Sequence, residues 1–200
     1  MIFDAHVHLQ MGILINNLSP DVQVLCNSVE REDMYQVLEL AEQFQQIYPF
    51  LGIHPWFIRE TWEEELTYLD ELLSHTAAGV GEIGLDKVKT KVPLEKQRTV
   101  FREQLNLAVK HFRPVNIHCV RAWGALLEDL AMLDGSGVPF LVHAFAGSQE
   151  VMWELVKLGG YISFAPFVLK SGSKKVFSVL AKVPEDRSEE RRVGKECTLR

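Results

Sequence analysis

Seven times along the chain a short run rich in β-branched or aromatic residues gives way to a stretch whose apolar residues recur every three or four positions. Runs of the first kind at 2–8, 22–29, 50–54, 79–84, 114–119, 139–145 and 161–166 predict β-strands. Between them, Met34, Val37, Leu38, Ala41 and Phe44, or Phe101, Leu105, Ala108 and Phe112, each trace one stripe of an amphipathic helix. Further helices are predicted near 61–74, 122–134, 148–158 and 173–182, whereas 9–21 is too broken by Gly, Asn and Pro to assign. Strands that alternate with helices must lie parallel, because each crossover returns the chain to the same end of the sheet. The expected fold is therefore α/β, a TIM-like (β/α) barrel with seven of its eight strands encoded, since the complete fold takes roughly 250 residues. An open doubly wound sheet is the rival. The barrel is preferred because polar residues stand at the C-terminal ends of several different strands, where barrels assemble their sites.

Of the 200 residues, 47% are hydrophobic and 24% charged, enough for one sizeable core. No apolar run approaches the roughly 18–20 residues needed to span a membrane, and the start of the chain lacks the basic and apolar regions of a secretory signal. Cys26, Cys119 and Cys197 are odd in number and without CxxC spacing, as suits a reducing compartment. A cytoplasmic protein without membrane contact is expected. The formal net charge of −6 excludes a broad basic footprint for duplex nucleic acid, so any contact with a phosphate backbone must be local.

The strand ends offer His6 and His8, then Glu82, His118 and His143. Strand side chains alternate, so His6 and His8 share a face and can grip one metal ion together. An HxH pair alone is weak evidence. Glu82 strengthens it, because a carboxylate in an otherwise apolar strand is costly to bury without a cation, and no Arg or Lys precedes it nearby. Two divalent ions bridged by Glu82, with imidazoles on either side, would offset that cost and equip the site for hydrolysis. Nitrogen-rich ligation favours Zn²⁺ or Mn²⁺ over Ca²⁺, and the carboxylate leaves room for Mg²⁺.

Five segments, DAHVHL at 4–9, GIHPW at 52–56, GEIGLD at 81–86, VNIHC at 115–119 and LVHAF at 141–145, together resemble the TatD family of metal-dependent deoxyribonucleases within the amidohydrolase superfamily. The resemblance runs from residue 1 to about 187. It implies a two-metal site on a TIM-like barrel and hydrolysis of phosphodiester bonds, typically exonucleolytic cleavage of DNA in single-stranded or 3'-ended form, by a monomeric chain. By the same resemblance His6 and His8 would bind one metal, His118 and His143 the other, Glu82 would bridge them as the catalytic carboxylate, and His54 would line the substrate site.

One departure stands against these matches. In the family, a strand similar to LLLETDSP follows a segment like the VPEDR of 183–187, and its Asp is a metal ligand that assists the attacking water. Here Arg187 is followed by SEERRVGKECTLR, which has no apolar alternation and no Asp. This stretch carries four basic residues against three acidic ones, where the preceding 187 carry 17 against 24, and RSEERRVGKEC resembles a translated adaptor or vector sequence. The expected division is a hydrolase barrel over 1–187 and a non-native or disordered tail over 188–200, with catalysis impaired by the missing carboxylate.

Lys87, Lys89 and Lys91 follow Glu82 and would project together toward a phosphate backbone, against the plainer reading of a solvated loop. Arg121, soon after His118, is a second candidate for phosphate. Trp56 is left open between stacking on an unpaired base and walling the site. Asp4 is expected to orient a ligand histidine and Asp86 to hold its own loop, and His75 and His111 to sit at helix C-termini. Gly79, Gly81 and Gly84 spell GxGxxG, but LDKVKTKVP rather than a helix follows, so the glycines are expected to serve close packing instead of a dinucleotide. Alternative functions are hydrolysis of a small ester, lactone or amide at the same centre, or a non-catalytic metal-binding remnant.

Overall fold

A computed structural model describes residues 2–12, 18–19, 21–165 and 174–189. Strands β1 (Ile2–Val7), β2 (Val22–Asn27), β3 (Ile47–Leu51), β4 (Gly79–Asp86), β5 (Val115–Val120), β6 (Phe140–Val142), β7 (Tyr161–Ser163) and β8 (Ser188–Glu189) form one parallel sheet in chain order. Helices α1 (Arg31–Gln43), α2 (Trp62–His75), α3 (Leu94–His111), α4 (Trp123–Leu130), α5 (Gln149–Lys157) and α6 (Lys174–Leu180) alternate with the strands. This is the expected (β/α) barrel. Its seven predicted strands are present, and no pairing between β8 and β1 closes it among the described residues.

In the eighth position Ser188 and Glu189 pair in parallel with Ile162 and Ser163, so strand pairing continues two residues beyond the boundary expected at 187. A two-residue strand needs only backbone groups, which is why the lack of apolar alternation did not prevent it. The expected tail from 190 onward lies outside the described residues.

β4 occupies the middle of the architecture and is buried at all eight positions. Helices cover one of its faces and the barrel interior the other, which explains a nearly continuous apolar run relieved by glycine. At Gly84 (φ +145°) a Cβ would come within 1.9 Å of the His118 carbonyl oxygen, and at Gly81 it would crowd Asn116 and Asn27. The GxGxxG spacing thus reflects close approach of neighbouring strands, as expected.

Several strand boundaries differ from those expected, with β2 ending at Asn27, β4 running on to Asp86 and β7 ending at Ser163, and two of the shifts have clear physical reasons. The strand expected at 50–54 runs instead over Ile47–Leu51, because Pro49 reads as a breaker; β4 begins opposite Phe50, so Ile47–Pro49 pair with β2 only and a missing N–H is tolerated there. The strand expected at 139–145 is confined to Phe140–Val142, leaving His143 on the loop just beyond it. Within 9–21, Leu9–Met11 form a single 3₁₀ turn, and 13–17 and 20 lie outside the described residues.

Helix α3 buries Phe101, Leu105 and Ala108 on the predicted stripe, together with two glutamines, Gln97 and Gln104, whereas Phe112, expected on the same stripe, ends the helix with φ +51° and is 65% exposed. Each glutamine satisfies both backbone groups of one residue at the C-terminal end of the barrel. Gln104 accepts from the Ile53 N–H (2.7 Å) and donates to its carbonyl (3.1 Å), and Gln97 does the same for Asp86 (2.8 and 3.0 Å). A single helix thereby fixes the segments that carry His54 and Asp86. Cys26 and Cys119 are buried thiols, and Cys197 lies outside the described residues.

Candidate metal centre

At the C-terminal end of the barrel Glu82 projects from β4, its side chain only 2% exposed, and five imidazoles surround it. Its Oε2 lies 3.0 Å from His8 Nε2 and 3.3 Å from His6 Nε2. Its Oε1 lies 2.6 Å from His143 Nε2, 3.0 Å from His118 Nδ1 and 3.5 Å from His54 Nε2. His6 and His8 reach the carboxylate from the same face near the end of β1, their Nε2 atoms 3.1 Å apart, as the alternation required.

Two ligand groups are geometrically ready. His6, His8 and Glu82 offer ligand atoms that all lie within 4.8 Å of one another, and so do His54, Glu82 and His118. The ring of His143 stacks on His6 with centroids 3.7 Å apart and planes 4° from parallel, which places it between the two groups. The resemblance assigned His143 beside His118 and gave His54 a lining role; in the structure His54 joins Glu82 and His118 in the second group, and His143 stands between the two groups.

The donor chemistry suits a cation. His8 Nδ1 lies 2.7 Å from the Asn27 carbonyl, which can only accept, so in the neutral ring Nε2 is a lone pair facing a carboxylate oxygen. His54 Nε2 and Glu82 Oε2 are buried yet form no satisfactory hydrogen bond. Lone pairs gathered in a buried space are costly unless something positive stands among them. Nitrogen and carboxylate donors of this kind match Zn²⁺, Mn²⁺ or a similar divalent ion.

The protonation pattern tells the same story. Burial by itself would raise the Glu82 carboxyl, but His6, His143 and His54 around it hold it well below the usual carboxylate range. Burial drives His54 down to about 4 and lowers His6 and His143, against the opposing pull of the Glu82 charge. His118 departs from them: burial opposes its charge, yet hydrogen bonds to Asp86 and Glu82 push it up to about 9. Burial likewise opposes charge on His8, which the adjoining Glu82 carboxylate nevertheless raises.

Residues behind the ligands set these orientations. Asp86 Oδ2 lies 3.2 Å from His118 Nε2 and accepts from the Trp56 indole N–H at 2.7 Å, while its Oδ1 accepts from the Val88 and Lys89 amides. Asp86 therefore does hold its loop, and in addition turns Nδ1 of His118 toward Glu82. The indole N–H of Trp56 is committed to Asp86 and its ring meets His54 edge-on at 4.9 Å, which makes Trp56 a wall of the site. Asp4 accepts the His6 backbone amide at 3.2 Å.

Lys87, Lys89 and Lys91 are exposed on the loop above β4, and among the described residues none forms an ion pair. Arg121 is exposed just beyond β5. His75 and His111 end α2 and α3, and His111 lies 2.6 Å from Asp70. Asp186, beside the position where the resemblance expects a further carboxylate, turns outward with its side chain 78% exposed.

The chain matches, over residues 3–188, the family model described as TatD related DNase. The Bacillus subtilis (strain 168) protein named "Uncharacterized metal-dependent hydrolase YabD" is 30% identical over 197 residues, spanning 94% of this chain and 77% of that protein. Two Homo sapiens relatives carry nuclease names: "Deoxyribonuclease TATDN3", 27% identical over 86% of this chain and 70% of its own length, and "3'-5' RNA nuclease TATDN2", 33% identical over 68% and 18%. Among solved structures, that of YjjV, a TatD homologue from Escherichia coli K12, superposes with a TM-score of 0.84 at 29% identity, covering 94% of this chain and 76% of that one. With its barrel, its imidazole-ringed carboxylate and this match across the whole barrel, the chain belongs to the TatD-related DNase family of metal-dependent hydrolases.

Proposed function

We propose that the chain hydrolyses phosphodiester bonds of DNA, presented single-stranded or as a 3' end, at a centre of two divalent ions. The observation that carries this is the Glu82 carboxylate, buried and met by five imidazoles at 2.6–3.5 Å. His6 and His8 would hold one ion and His54, His118 and His143 the other, with Glu82 shared, and Zn²⁺, Mn²⁺ or Mg²⁺ would serve. Bound there, such ions supply Lewis-acid polarisation of the phosphoryl group and acidify the attacking water.

The protein's own part is positioning. Asp86 and the Asn27 carbonyl fix which nitrogen His118 and His8 present, while Trp56 walls the site beside His54. Lys87, Lys89 and Arg121 stand exposed around the mouth, where they would hold a phosphodiester chain. The nuclease names of the human relatives support a nucleic-acid substrate, and a cytoplasmic setting accords with buried thiols.

Residues 188–200 contain no Asp, so we propose that this stretch is foreign in origin, although Ser188 and Glu189 extend the sheet, and that turnover is impaired. That same absence favours, as a second reading, a remnant that binds metal without turning over substrate. The test compares this chain, a version in which 188–200 are replaced by a family-like eighth strand bearing Asp, and His6→Ala, on single-stranded DNA, RNA and a panel of esters and lactones. Metal-dependent DNA cleavage confined to the repaired version supports the nuclease. Cleavage of esters or lactones in its place contradicts it, and metal binding without turnover in any version establishes the remnant.

A further inference from the structure

Gln10 lies in the turn after β1, two residues beyond His8, and its amide is fully engaged. Nε2 donates to the Asn27 carbonyl at 2.8 Å and to Asp33 Oδ2 at 2.7 Å, and Oε1 accepts from the Cys26 thiol at 3.5 Å. The two groups facing Nε2 only accept, so the orientation of the amide is determined by chemistry. The Asn27 carbonyl has two lone pairs; Gln10 takes one, and Nδ1 of His8 takes the other at 2.7 Å. Asp33, at the start of α1, also accepts the Val29 and Glu30 amides at 3.1–3.2 Å, and so holds the turn in which the chain leaves Asn27 for the helix.

We infer that Gln10 is a positioning residue for His8, tying the ligand's strand to the carbonyl that selects its tautomer, and so sets the affinity of the His6, His8 and Glu82 group for a divalent ion. The inference rests on the metal-centre reading proposed above. Gln10 bonds the carbonyl directly, and Asp33 holds both the Gln10 amide and the turn that follows Asn27, so the acceptor stays in line with Nδ1–H. The His8 Nε2 lone pair is then directed at the space beside Glu82 Oε2, 3.0 Å away. A side chain that merely filled space would affect stability and leave the ring's tautomer alone.

Gln10→Met preserves length and removes both N–H donors. Zn²⁺ titration against a competing chelator should show one equivalent weakened by about 10- to 100-fold, the usual cost of losing a ligand's supporting hydrogen bonds, with the other equivalent unchanged. Nitrogen-15 NMR of the metal-free protein should find neutral His8 with its proton on Nδ1 in the parent and a mixed population in the variant. Unchanged affinity for both equivalents in Gln10→Met overturns the inference, provided His6→Ala weakens one of them. If His6→Ala leaves both equivalents intact, the metal-centre reading itself fails. Should Gln10→Met not fold, the parent spectrum decides: Nδ1–H on neutral His8 supports the inference and Nε2–H overturns it.

Discussion

The Glu82 carboxylate and Nε2 of His143 lie 2.6 Å apart, the shortest of the contacts that gather imidazoles round this acid, and the His143 ring is stacked on His6 at 3.7 Å. His143 therefore touches the shared carboxylate and one ligand of the neighbouring group at once. His143→Ala should weaken both equivalents of bound metal, whereas His54→Ala should weaken one, as read by equilibrium dialysis with metal analysis. Equal losses in the two variants would contradict the assignment of His54 to a single group.

Gly84 allows β4 and β5 to approach at the level of the site. A methyl group at this position would fall 1.9 Å from the His118 carbonyl, on backbone that L residues rarely adopt. Gly84→Ala should cost more than about 3 kcal/mol, measured as the shift in urea midpoint, or abolish soluble expression. A change under about 1 kcal/mol would mean that the strands can part freely here.

His118 makes the metal-free protein sensitive to alkali. Its folded value is raised to about 9, against roughly 6.5 for an unfolded chain, so its stabilisation is complete below about pH 6.5 and is lost as the pH rises through about 9. Subtracting the unfolding free energy of His118→Asn from that of the parent should give a difference that falls by at most about 3 kcal/mol over this window. A flat difference would contradict the pairing with Asp86 and Glu82. Binding of a cation to His118 must also displace its proton, so metal uptake at pH 7 should release protons, detectable by calorimetry in buffers of different ionisation enthalpy.

Lys87, Lys89 and Lys91 stand on a loop whose backbone is tied to Asp86, which also contacts His118. Phosphate held by this loop is thus close to the site. Replacing all three with Ala should weaken single-stranded DNA binding and reduce the slope of log affinity against log salt by about 2, from roughly 0.7 per phosphate contact. An unchanged slope would leave the lysines as solvated surface.

Much of this was readable from the sequence because the periods are short. Alternation over two residues put His6 and His8 on one face, and seven recurrences of strand and helix defined the barrel before any pairing was seen. What escaped depends on contacts distant along the chain. Gln97 and Gln104 look like polar lapses in an apolar stripe until the segments they bind, at Asp86 and Ile53, are in place. Pro49 hid the start of β3, because its tolerance depends on where β4 begins. Gln10 carries no periodic signal. Asp33, three residues after Glu30, does leave the trace of a capping box, and that was the one local sign of the network behind His8.

That Glu82 organises a metal centre is tested most directly by metal stoichiometry. Purified protein, stripped with chelator and dialysed against Zn²⁺ or Mn²⁺, should take up two equivalents, while Glu82→Gln, which keeps the shape and removes the shared charge, should retain neither under the same conditions. Two equivalents bound as tightly by Glu82→Gln as by the parent, or no specific uptake by the parent, would contradict it.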